Sequence, residues 1–140
     1  MILSSPLKTQ LEQLENTTLY DVQLQQKQNL AAIGQRYTDI VWAAALFEGE
    51  GSIFIRKKDV NTRYISISMT DKDVMQRFVN VVGYGNLRGP YKGSHKPYWS
   101  WECAKKIQVL RILKMFLPHF GIRRAEKAIE AITFLNEITN

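Results

Sequence analysis

Ala43-Ala44-Ala45-Leu46-Phe47-Glu48-Gly49-Glu50-Gly51-Ser52-Ile53 is the stretch on which the reading of this sequence turns. An Ala- and Leu-rich run of helix formers meets two acidic residues separated by glycine, and a β-branched alternation starts directly afterwards. A helix therefore hands over to a strand with almost no loop between them. Ala45 and Gly49 are small and four apart, so they share a helix face that another backbone could approach closely. Glu50 stands at the helix end, where unsatisfied carbonyls and a carboxylate together offer oxygen ligands to a hard cation such as Mg²⁺. Two glutamates alone are also what a solvated helix terminus looks like, so the surroundings decide.

Upstream, Thr38 can cap the helix and Asp39 suits its first turn. Downstream, Ser52–Lys58 alternates, with Ile53 and Ile55 opposed to Phe54, Arg56 and Lys58. Asp59-Val60-Asn61-Thr62 reads as a turn. A second alternation follows to Met69, with Ile65, Ile67 and Met69 against Tyr64, Ser66 and Ser68. Thr70 or Asp71 opens a helix with Val74, Met75, Phe78, Val79 and Val82 inward, and Gly83 ends it. Residues 86–91 and 98–103 form another hairpin, with Trp99, Trp101 and Cys103 on one face and Tyr98, Ser100 and Glu102 on the other. Residues 105–117 and 123–137 are helices, the first with Ile107, Leu110, Leu113 and Leu117 inward and stopped by Pro118. The last helix turns Ala125, Ala128, Ile129, Ile132 and Leu135 inward. The order αββαββαα predicts an α+β fold, an antiparallel four-stranded sheet under helices on one face. The tryptophans read as core, and the sheet's other face, rich in Ser, Tyr, Lys and Arg, must meet something else.

Two segments differ in composition. Residues 1–37 are Gln-rich, with helical stripes at Leu7, Leu11, Leu14 and at Leu30, Ile33, and read as a helical or partly disordered extension. Residues 38–140 form the domain proper. The net charge is +6, and through residue 38 three basic residues balance three acidic ones, so the whole excess lies in the domain. A basic domain points to a polyanionic partner. One cysteine, Cys103, excludes an intramolecular disulfide and a Cys-based zinc site, and two histidines do not make a His-rich metal centre. No apolar run is long enough to span a membrane, and Met1–Pro6 lacks a secretory layout, so an intracellular protein is expected, wherever its target genome lies.

Residues 43–51 resemble the LAGLIDADG motif in register with its nine letters. The resemblance extends through the Gly-Ser-Ile strand opening, Met69-Thr70-Asp71-Lys72-Asp73, and Leu117-Pro118-His119-Phe120-Gly121-Ile122-Arg123-Arg124, and covers about residues 38–138. It implies a single-motif homing endonuclease: a homodimer that hydrolyses both strands of duplex DNA at a long pseudo-palindromic site, with Mg²⁺ or Mn²⁺ as cofactor. Glu50 matches the family's metal-binding catalytic acid, and Gly49 supplies a backbone carbonyl to the ion. Arg123 falls where many members carry a lysine near the scissile phosphate, and Asp71 near a water-organising position. Glu48, with Ala45 and Gly49, matches the helix end and dimer interface. Ala45 replaces the usual Gly, and Glu50 the commoner Asp.

A two-stranded ribbon fits the major groove, where base edges are distinguishable. The candidate DNA-binding residues are Ser52, Phe54, Arg56 and Lys58 on one strand and Tyr64, Ser66 and Ser68 on the next. Asn86, Arg88, Tyr98, Ser100 and Glu102 extend that face, Glu102 either accepting from a cytosine amine or pairing with a neighbouring arginine. Lys57, Lys92, Lys96, Lys105 and Lys106 suit phosphate contacts or plain surface charge. The alternatives are a LAGLIDADG-like DNA-binding regulator that does not cut, and an RNA maturase on the same fold.

Overall fold

The computed structural model describes residues 18–56 and 58–138. Two compact units divide the chain, Met1–Tyr37 and Thr38–Asn140. The expected stripe Leu7, Leu11, Leu14 lies outside the described residues, as does Lys57.

In the first unit, Thr18 opens helix α1 (Leu19–Glu50). Thr18 Oγ1 accepts the Asp21 N–H at 3.1 Å, and Asp21 Oδ2 accepts the Thr18 N–H at 3.3 Å, a reciprocal capping box. Every residue from there to Tyr37 is exposed, Leu30 and Ile33 included. The expected cap at Thr38 is corrected. Thr38 and Asp39 are helical, because the run before them is built from Leu, Gln and Ala and the cap is already supplied by Thr18.

In the second unit, the last turns of α1 bury Ala43, Ala44 and Phe47 and leave Ala45, Gly49 and Glu50 exposed. Strand β1 (Gly51–Arg56) starts at once. The Phe47 ring occupies the space a Cβ at position 51 would need, so only glycine lets helix and strand join here. Strand β2 (Asp59–Met69) returns antiparallel, pairing Gly51 with Ile67 and Arg56 with Asp59. The hairpin therefore turns before Asp59, not at 59–62, and Lys58 is a turn residue instead of a member of β1. Residues 59–62 form an irregularity within β2, held by the Asp59 carboxylate, which accepts from the Asn61 N–H (3.0 Å) and the Thr62 hydroxyl (2.7 Å). The same two bonds, the Thr62 one first, lower the Asp59 pKa.

Helix α2 (Lys72–Val82) buries Met75, Phe78, Val81 and Val82. It closes at Gly83, left-handed at φ 78°, whose N–H donates to the Val79 carbonyl at 2.8 Å. Strands β3 (Asn86–Tyr91) and β4 (Tyr98–Cys103) complete the sheet in the order β1-β2-β4-β3, all antiparallel. Helix α3 (Lys106–Phe116), a 3-10 turn (Leu117–His119) and helix α4 (Ile122–Glu137) follow. The element order and sheet are the α+β arrangement the alternations predict. Two inward assignments are corrected. Ile107 is exposed because α3 packs through Val109, Ile112, Leu113 and Phe116, a stripe that leaves position 107 with Arg111 and Lys114. Ile129 is half exposed, and α4 packs instead through Ala128, Ala131 and Leu135.

The core lies between the helices and one sheet face. Trp101, Phe78, Phe116 and Phe47 form a chain of rings, with Phe78 edge-on to Trp101 at 4.9 Å and Phe116 about equally distant from Phe47 and Phe78, at 5.9 and 6.1 Å. Trp101 Nε1 donates to the Tyr84 carbonyl at 2.8 Å, so its one polar atom is satisfied. No helix among the described residues is long and apolar enough to cross a membrane.

Candidate nucleic-acid interface and helix-end site

Strand alternation sends every second side chain away from the helices, and register aligns them in rows. Ser52, Ser66, Glu102 and Asn86 form one row across all four strands. Ser68, Ser100 and Arg88 form a second, in which the Ser68 hydroxyl donates to Ser100 Oγ at 3.2 Å. Phe54 pairs with Tyr64, their rings stacked at 5.1 Å, and Tyr91 with Tyr98 at 5.5 Å. All the candidate DNA-binding residues except Lys58 thus share the outer face. Arg56 and Glu102 do not stand apart there: Arg56 Nη2 donates to Glu102 Oε1 at 2.8 Å.

At one end of the sheet, β1 begins beside the end of β2, and Asp71 follows two residues after Met69. The end of α1, with Glu50, and the N-cap of α2, with Asp71, therefore sit at the same end. An open cleft of about 520 Å³ lies there, lined by Glu48, Gly49, the start of β1, Arg123, Arg124 and Lys127. Neither Glu50 nor Asp71 lines it; both are exposed.

The two glutamates around Gly49 have opposite surroundings. Glu48 Oε1 accepts the Gly121 N–H at 3.2 Å, which places a carboxylate at the N-terminus of α4, where the helix dipole favours it. Arg124 Nη2 donates to the Glu48 carbonyl at 3.1 Å, its Nε lies 3.9 Å from Glu48 Oε2, and its guanidinium sits 5.5 Å from the Phe47 ring centre. The end of α1 is thereby tied to the start of α4. Two arginines in the first turn of a helix oppose its dipole, and no acidic residue in that turn offsets them. Glu48 answers one of them. Arg123 is exposed on the cleft, with Lys127 one turn further along the same helix face.

Arg124 and Lys127 were not singled out from sequence. Lys127 was recoverable, being four residues from Arg123 on a helix; Arg124 was not, because its partner is 76 residues away. Among the described residues, no three Asp, Glu, His or Cys side chains gather to hold a metal. Glu50 and the terminal carbonyls of α1 are hard oxygen donors at the negative end of a helix, chemistry that fits part of a Mg²⁺ or Ca²⁺ shell.

No protein-family model matches the sequence, and no curated protein shows a significant match. Solved structures do. The homing endonuclease I-CvuI, in complex with its target in the presence of Ca, superposes with a TM-score of 0.61 at 12% identity, over 76% of this chain and 71% of that one. The LAGLIDADG homing endonuclease I-GzeII, in complex with a DNA target, gives 0.57 at 18% identity, over 70% and 35%.

The fold is that of the LAGLIDADG homing endonucleases.

The group I intron-encoded homing endonuclease I-CeuI, complexed with DNA, has the same fold at a TM-score of 0.59 and 12% identity, over 74% of this chain and 56% of that one. Within the LAGLIDADG fold, residues 43–51 form the end of α1 and its junction with β1.

Proposed function

We propose that this chain is a site-specific double-strand DNA endonuclease that acts as a homodimer with a divalent metal ion. The observation that carries the reading is the outer sheet face, whose polar and aromatic rows end beside the exposed Glu50 of α1. The solved structures with this fold include I-CvuI, I-CeuI and I-GzeII in complex with DNA, the I-CvuI complexes in the presence of Ca or Mg.

The sheet face enters the major groove and its side chains read base edges. Arg123 and Lys127, on the cleft at that end of the sheet, hold backbone phosphate. Arg123 stabilises charge on the scissile phosphate but does not act as an acid, since guanidinium keeps its proton at neutral pH. Glu50 and the Gly49 carbonyl hold the metal ion, which when bound supplies Lewis-acid activation of water and stabilisation of the leaving oxygen. Asp71, at the same end, orients water. Glu48 has a supporting part, fixing the helix end through Gly121 and Arg124.

A second copy docks against the exposed face of α1 that carries Ala45 and Gly49. A Cβ built at Gly49 meets nothing within 4 Å, so the single chain itself leaves room for a side chain there. Helices that cross at about 8 Å do not.

The test is selection from a randomised duplex pool for molecules that the natural protein cuts in Mg²⁺, with sedimentation of the free protein. A long pseudo-palindromic consensus and a dimer are expected. Binding without cutting in Mg²⁺ or Mn²⁺ replaces this reading with a DNA-binding regulator, and splicing of an intron RNA without duplex cleavage replaces it with a maturase.

A further inference from the structure

Arg56 closes β1 and Glu102 belongs to β4, with β2 between them. Glu102 shares the row of Ser52 and Ser66, while Phe54 and Tyr64 form the next outward row towards Arg56. To reach Glu102, the Arg56 side chain has to cross Tyr64, and it does. Its Nη2 meets Glu102 Oε1 at 2.8 Å, and its guanidinium carbon lies 4.9 Å from the Tyr64 ring centre. Phe54 stacks on that ring with an interplanar angle of 25°. A side chain that would otherwise sample many rotamers is held along the sheet by a charged partner at its tip and an aromatic floor beneath it.

We propose that Glu102 is a positioning residue for Arg56, and that it sets base preference at one position of each half-site without touching a base. The proposal rests on the reading that the outer face enters the major groove. Arginine presents five N–H donors in a planar fork. Committing one to Glu102 leaves others to meet guanine O6 and N7, with the entropy of ordering the fork largely spent before DNA arrives. A lone carboxylate on a surface that faces phosphates is repelled; paired with Arg56 its charge is neutralised. Were Glu102 a direct reader instead, it would accept from a cytosine amine and specify a base pair of its own.

Both side chains are nearly half exposed, so the pair adds little to folding and its variants remain folded. The experiment compares randomised-duplex selections for the natural protein, Arg56→Ala, Glu102→Ala and the double variant. Arg56→Ala is expected to lose about 5- to 100-fold preference at one base pair in each half-site. Glu102→Ala relaxes that same base pair by about 3- to 10-fold, since Arg56 keeps its charge and its aromatic floor. The double variant is no worse than Arg56→Ala. Relaxation at a different base pair, additive losses in the double variant, or an unchanged consensus for Glu102→Ala overturns the proposal while leaving the sheet-face reading intact. A natural protein that selects no sequence at all overturns both.

Discussion

On β2, Ile65 and Ile67 are shut against the helices, while Tyr64, Ser66 and Ser68 between and beside them face outward. On β4, Trp101 and Cys103 are buried, and Ser100 and Glu102 alternate with them. The two faces are built from the same strands, hydrogen-bonded by the same ladder, and differ only in which neighbour each side chain meets. The inner face meets rings and aliphatic chains from α1, α2, α3 and α4 and carries the stability of the fold. On the proposed reading, the outer face adds little to stability and its composition answers to a partner instead. A substitution should therefore show its effect in one kind of measurement or the other, according to the face it sits on.

The largest effect expected on stability is at Trp101. Trp101→Ala removes a fully buried ring and strands the Tyr84 carbonyl, and should cost about 3–5 kcal/mol in denaturant unfolding. A loss below about 1 kcal/mol would break the comparison on its inner side, since that is the scale of an ordinary surface change. Cys103 tests the same face through pH. Burial pushes its thiol up to about 11 from 9.0, so the folded state holds the proton more tightly than the unfolded chain. Its contribution is full below pH 9 and disappears as pH rises through 11, at most about 2–3 kcal/mol. Cys103→Ala should accordingly flatten the fall in stability between those pH values, and an unchanged slope would contradict the burial. The smallest effect on folding belongs outside. Tyr64→Ala should shift stability by no more than about 1 kcal/mol, yet weaken binding to a selected duplex by about tenfold or more. Equal losses in both measurements would make the outer face ordinary structure.

Much of the fold was legible because alternation and helical periodicity each repeat over enough residues to be unambiguous. The outer rows follow from period two plus antiparallel register, and the candidate binding residues other than Lys58 fall on that face as the sequence requires. Boundaries were less legible where a local bond decided them. The Thr18–Asp21 box moved the start of α1, and the Asp59 carboxylate holds residues 59–62 as an irregularity within β2 where a turn was expected. Arg63 is the inner-face residue that periodicity places correctly and polarity would not. It is buried over the Phe134 ring at 3.7 Å, with Glu130 at 3.8 Å, partners on α4 that no local pattern reveals. At the helix end, the acidic pair was visible and the resemblance already set Glu48 at the helix end, but the partners that hold it there were not legible. Glu48 owes its position to Gly121 and Arg124, more than seventy residues on. Ion pairs between distant segments carry no signature in either segment alone.

The central claim is that the exposed carboxylate at the end of α1 drives cleavage while the sheet face drives binding, and Glu50→Gln tests it most directly. The variant keeps the shape of the side chain and removes the charge proposed to hold a metal ion. With a duplex recovered by selection, binding in Ca²⁺ should survive or tighten, because one carboxylate near phosphate is neutralised. Strand cleavage in Mg²⁺ should fall by at least about 100-fold, the scale of losing a group that acts in the transition state. Glu48→Gln, measured beside it, should lower stability more than rate. A Glu50→Gln protein that cuts at the natural rate would contradict the account.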